Sequence, residues 1–141
     1  MKTNQEKVEL LYNEAKKAMR NSYSPYSNFK VGAALITKSG KIYTGTNIEN
    51  ASYGLSMCAE RVAIFKAVSE GERDFETLVV IGDTDDPISP CGACRQVIAE
   101  FGFDEVILTN LKKDFKVMSV NELLPYGFSG KELNDKDTDN R

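Results

Sequence analysis

Ser89-Pro90-Cys91-Gly92-Ala93-Cys94-Arg95-Gln96 is the stretch from which the rest of the chain can be read, because it opens a predicted helix lying between two apolar strands. A proline suits the first turn of a helix, where its missing N–H would have no intrahelical partner, so Pro90 marks the expected helix start. Cys91 and Cys94 then share that turn. Side chains three apart lie on one helix face, and the positive end of the helix dipole favours thiolates, so the two sulfurs can converge on one ion. Taken alone, however, Cys-x-x-Cys fits a thioredoxin-like redox pair, half a zinc ribbon or two small buried residues about equally well.

Working outward, residues 78–81 (Leu-Val-Val-Ile) read as a central strand, the helix runs from Pro90 to Gly102, and residues 106–108 form the next strand. Strand, helix, strand implies a right-handed parallel crossover. Upstream, Thr3 and Glu6 fit a capping box for an amphipathic helix over residues 4–20, with Val8, Leu11, Tyr12, Ala15, Ala18 and Met19 at helical spacing. A loop over 21–28 delivers Phe29 to a strand over 30–37. The turn at Lys38-Ser39-Gly40-Lys41 returns the chain as an antiparallel strand over 42–47. Residues 57–69 carry too many apolar side chains for a one-faced helix and predict a buried one, capped by Gly71. An edge strand over 115–120 and a helical turn at 121–124 follow. Residues 1–129 are expected to form one domain, and residues 130–141, with little to bury, a frayed tail.

The 141 residues, 41% hydrophobic, are enough for one full core. Three cysteines cannot all be consumed in internal disulfides and suit a reducing compartment. With a polar N-terminus and no apolar run near the ~18 residues that a membrane span needs, a cytoplasmic location is expected. The net charge is −3 and the basic residues are scattered, which argues against a nucleic-acid partner. There is no histidine, so a metal must be held by sulfur or carboxylate.

The third cysteine, Cys58, opens the 57–69 helix and occupies the same topological position as Cys91, beyond the carboxyl ends of the strands where ligands sit in such sheets. Three thiolates without a fourth ligand favour an open, catalytic metal site over a closed structural one. Glu60, two residues on, is placed to exchange a proton with a water at the open position.

Cys58-Ala59-Glu60 followed by Pro90-Cys91-Gly92-Ala93-Cys94 resembles the zinc-dependent cytidine deaminase family, nearest to its short homotetrameric class. The likeness extends over Phe29-Lys30-Val31-Gly32-Ala33-Ala34, residues 47–54 (Asn-Ile-Glu-Asn-Ala-Ser-Tyr-Gly) and Leu123-Leu124-Pro125. It implies a three-layer α/β/α fold with a mixed five-stranded sheet, one Zn²⁺ per chain on Cys58, Cys91 and Cys94, and hydrolysis of free cytidine and deoxycytidine to uridine and deoxyuridine in pyrimidine salvage. Glu60 would carry the proton from water to N3 and then to the departing amine. Asn47 and Glu49, two apart on extended chain and able to point the same way, match ribose-binding residues. Phe29 matches the aromatic that packs on the pyrimidine, Phe128 one that closes a neighbouring subunit's pocket in a homotetramer, and Arg61 an arginine that donates to a ligand sulfur.

Plainer readings exist for each residue. A single cysteine is often a small buried hydrophobe, Glu60 and Arg61 could be first-turn charges, Asn47 and Glu49 turn polar residues, and Phe29 and Phe128 core residues. Tyr53 and the stripe of the first helix are read as packing. A blasticidin-type deaminase and a non-catalytic zinc or redox module using Cys91 and Cys94 as a dithiol are the competing functions. A polynucleotide deaminase is disfavoured by the acidic charge.

Overall fold

The computed structural model describes residues 4–134; Thr3, the expected cap of the first helix, and the tail beyond 134 lie outside the described residues. The elements run α1 (Asn4–Met19), β1 (Val31–Thr37), β2 (Ile42–Thr46), a 3₁₀ turn (Tyr53–Leu55), α2 (Ala59–Ser69), β3 (Phe75–Gly82), α3 (Gly92–Phe101), β4 (Glu105–Asn110), β5 (Phe115–Met118), α4 (Val120–Leu123) and α5 (Gly130–Asn134). They build one five-stranded mixed sheet in the order β2-β1-β3-β4-β5. The hairpin β1–β2 and the β1–β3 and β4–β5 pairs are antiparallel, and β3 and β4 are parallel across α3, as the strand, helix, strand pattern requires.

Alternation along the strands divides the core into two layers. Ala33 and Leu35 of β1, Leu78 and Val80 of β3, and Val106 and Leu108 of β4 face Ala63, Ile64 and Ala67 of α2 and Ile98 of α3. Ala34, Val79, Ile81 and Ile107 face the other way, against Leu11, Tyr12, Ala15 and Met19 of α1. The result is three layers, α/β/α, with α2 and α3 side by side on one face.

Two glycines let the helices approach. A Cβ on Gly32 would overlap the Ala15 carbonyl oxygen of α1, and one on Gly45 would overlap the Ala59 carbonyl and the Ala63 amide of α2. Gly45 therefore fixes how closely the first turns of α2, which carry Glu60 and Arg61, lie on the sheet.

Three expectations are corrected. β3 begins at Phe75 rather than 78, because Glu76 pairs with Lys7 of α1 at 2.5 Å and Phe75 stacks on Phe101 and Phe103. Residues 130–134 form a short helix instead of frayed chain, with the Ser129 amide and hydroxyl both donating to Glu132. The helix expected to be buried all round is covered on one face only: Phe65 is 41% exposed and Val62 half-buried, since a single chain has no element left to lay on them. Among the described residues, no helix is long and apolar enough to cross a membrane.

Candidate active site

Cys58 and Cys91 are the N-cap residues of α2 and α3, with extended backbone (φ −83°, ψ 153° and φ −69°, ψ 166°), and neither side chain caps its helix. Uncommitted to the helix amides, both sulfurs project from the helix ends. Pro90, expected at the helix start, lies one residue before the N-cap; its carbonyl is bonded by Arg95 Nε at 2.9 Å instead of by a helical N–H. Cys94 follows in the first turn, fully buried, with its sulfur 3.5 Å from that of Cys91, while the Cys58 and Cys91 sulfurs are 3.7 Å apart.

All three sulfurs lie within 4.8 Å of one another. Thiolates at ~2.3 Å from a tetrahedral zinc ion are separated by ~3.8 Å, so the 3.5 and 3.7 Å edges match a zinc shell missing its fourth ligand. The three cysteines are free of disulfides, and the dithiol reading leaves the third sulfur without a part. The electrostatics are those of a cation site. The Cys58 thiol is brought down to about 5, chiefly by hydrogen bonding with Cys94 and then with Arg61, whose Nη2 donates to its sulfur at 3.4 Å. Cys94 is pushed up by its bond to Cys58 and by burial. Three thiols this close cannot all ionise without a positive charge among them. Arg61 Nε, buried beside them, has no hydrogen-bond partner among the described residues.

Glu60, in the first turn of α2, is only 4% exposed, and burial pushes its carboxyl above the ordinary carboxylate range. With Cys58 it lines a cavity of about 220 Å³ whose walls include Phe29, Val31, Asn47 and Glu49. A larger trough of about 460 Å³ also borders Phe29, against Lys16 of α1 and Arg20 just beyond it, and holds none of the cysteines. Seven of the residues singled out from sequence thus come together: Cys58, Cys91 and Cys94 as a cluster, with Glu60, Asn47, Glu49 and Phe29 around the adjoining cavity. Arg61 backs the cluster. Phe128 does not line this cavity; it is 58% exposed beyond α4, held through its carbonyl by Gln96 Nε2 at 2.9 Å.

The polar groups do more than line the wall. Asn47 Oδ1 accepts from Ser22 Oγ at 2.6 Å and from the Val31 amide at 2.9 Å, and its Nδ2 donates to the Phe29 carbonyl at 2.7 Å. Glu49 Oε1 accepts from the Tyr26 and Ser27 amides at 3.0 and 3.1 Å, and Oε2 accepts from Ser27 Oγ. These bonds, the Ser27 hydroxyl first, hold the Glu49 carboxyl below its usual range. Both side chains therefore shape the 21–30 loop that presents Phe29, a role the sequence reading did not assign. Ile48, between them, bridges to Met57 through amide–carbonyl bonds of 2.9 and 2.8 Å, which seats this segment beside Cys58. Tyr53, read as packing, is instead 75% exposed, edge-on to Tyr26. Sequence reading also missed Ser27 and Arg95; a serine in a polar loop and an arginine behind a cysteine give no sign of which backbone groups they reach.

Residues 5–110 match the family model described as the cytidine and deoxycytidylate deaminase zinc-binding region. The chain is 56% identical over 128 residues to a cytidine deaminase of Sporosarcina psychrophila, covering 89% of this chain and 94% of that one. It is 51% identical over 129 residues to a cytidine deaminase of Halalkalibacterium halodurans, covering 90% and 98%. Among solved structures, the cytidine deaminase from Burkholderia pseudomallei superposes with a TM-score of 0.84 at 50% identity, covering 90% of this chain and all of that one.

The loop bonding predicts a specific lesion. Asn47→Ala leaves the half-buried Val31 amide and the Phe29 carbonyl without partners and should cost about 1–3 kcal/mol, read as a lowered urea midpoint. Asn47→Asp, which keeps both accepted bonds and loses only the donation to Phe29, should cost less.

Proposed function

The chain belongs to the zinc-binding cytidine and deoxycytidylate deaminase family, and on that premise we propose that it hydrolyses free cytidine and deoxycytidine to uridine and deoxyuridine, releasing ammonia. The observation that carries this reading is the buried Glu60 carboxyl, which shares one cavity with Cys58, Phe29, Asn47 and Glu49. Cys58, Cys91 and Cys94 would hold zinc, which would supply the polarisation that makes water easier to deprotonate.

Glu60 takes a proton from the attacking water. A carboxyl whose proton affinity is raised by burial takes up a proton more readily than an exposed one, as a shuttle must. It delivers that first proton to N3 of the pyrimidine, where it stays and makes C4 electrophilic, and after addition it carries a second proton, the one left on the added hydroxyl, to the departing amine. Water adds at C4, the C4–N bond breaks, and the products are uridine and ammonia. Phe29 packs on the ring. Asn47 keeps one Nδ2 hydrogen and Glu49 keeps acceptor capacity on Oε2 after their loop bonds are counted, and these remain for the sugar hydroxyls. Arg61 and the two helix N-termini offset the negative charge of three sulfurs, which would otherwise oppose ionisation of the water.

The assembly proposed is a homotetramer in the cytoplasm, acting in pyrimidine salvage. Its support is the apolar surface that one chain leaves open around the site: Tyr53 is 75% exposed, Leu55 69% and Phe128 58%, and the outer face of α2 is uncovered. In this arrangement, Phe128 closes the pocket of a neighbouring chain.

Glu60→Gln should lower kcat for cytidine by ~10²–10⁴-fold with zinc content unchanged, followed by ultraviolet absorbance. Retention of wild-type turnover would remove the shuttle. Light scattering should give the mass of four chains, and Phe128→Ala should raise KM for cytidine without loss of zinc; a fully active monomer would contradict both assignments.

A further inference from the structure

We infer that Arg95 is a positioning residue for the metal site, a clamp that holds the Cys91 loop against a rigid anchor on α4. Its guanidinium spends its donors on three acceptors: Nε on the Pro90 carbonyl at 2.9 Å, Nη1 on the Leu123 carbonyl at 2.9 Å and Nη2 on the Ser89 hydroxyl at 2.8 Å. Two of these lie on the residues immediately before Cys91. The third lies in the last turn of α4, where carbonyls have no intrahelical partner.

That anchor is itself fixed. The Leu123 side chain is buried in the core, and α4 is closed by a reciprocal capping box in which the Glu122 amide donates to Ser119 Oγ and Ser119 N–H to Glu122 Oε1. Cys91 is exposed and carries no side-chain cap, so the helix alone does not fix the angle at which its sulfur leaves the chain. The planar fork, rooted next to Cys94, sets the approach of the loop carrying Cys91 and so sets one sulfur relative to the other. Among the described residues Arg95 makes no ion pair, so its charge is spent on neutral acceptors one residue from a thiolate cluster. A lysine has one point of attachment and cannot reproduce this geometry.

The inference rests on Cys91 and Cys94 being ligands, and the test separates the two. Zinc-loaded wild type, Arg95→Ala, Arg95→Lys and Ser89→Ala are mixed with a chromophoric chelator, and the rate of zinc transfer is followed alongside the urea midpoint of the zinc-free protein and the kcat–KM split. Arg95→Ala should lower zinc affinity by ~10–100-fold, as loss of a partner that orients a ligand does, and speed its release correspondingly. Lysine should rescue only partly, kcat should fall more than KM rises, and Ser89→Ala, which removes one bond and should fold in any case, should give a smaller acceleration in the same direction. Release from Arg95→Ala and Ser89→Ala at the wild-type rate would overturn the clamp, as would acceleration fully accounted for by a lower urea midpoint. A wild type that bound no zinc would instead overturn the ligand assignment, and the clamp with it.

Discussion

Everything in the site depends on bringing three sulfurs that repel one another when ionised to the ends of two neighbouring helices. The mixed sheet makes this possible. Because α2 and α3 lie side by side on one face, their N-termini open at the same edge, and an N-cap cysteine on each projects beyond the backbone. Each contributor to the convergence is modest: a glycine at 45 that admits α2 close to the sheet, a guanidinium on Cys58, two helix dipoles. Together they favour thiolate at one place, and a divalent cation completes it. Edges of 3.7 and 3.5 Å mean that little rearrangement is needed to meet a tetrahedral ion.

The same placement accounts for Glu60. A carboxylate buried to this extent without a cation would be costly, and the group responds by holding its proton more tightly. In an ordinary core that is a defect. Beside a polarised water it is the property a proton carrier requires, and it arises because the helix turn that bears the glutamate also bears a ligand at its cap. The polar residues opposite, Asn47 and Glu49, organise the loop from Ser22 to Val31 through their hydrogen bonds, so that loop and this wall of the cavity are one construction.

Much of this was legible in the sequence because the relevant signals are local. Alternation and helical periodicity located the strands and main helices, and the Cys-x-x-Cys stretch and the Cys58-Ala59-Glu60 segment each announced a helix start with chemistry on it. What was not legible depends on distant partners. Pro90 reads as a helix start until one sees its carbonyl taken by Arg95. Asn47 reads as a turn residue or a ligand contact, and only the fold shows it bonded to Ser22, Phe29 and Val31. The apolar character of α2 predicted a helix buried all round, whereas the chain covers only one of its faces.

The coordination of the loaded metal tests the account most directly. Zinc K-edge absorption on the zinc-bound protein should show three sulfur neighbours at ~2.3 Å and one lighter oxygen neighbour, the open position at which water is activated. A shell of four sulfurs, or of two, would mean that Cys58, Cys91 and Cys94 do not form the open three-thiolate site on which the chemistry proposed for Glu60 depends.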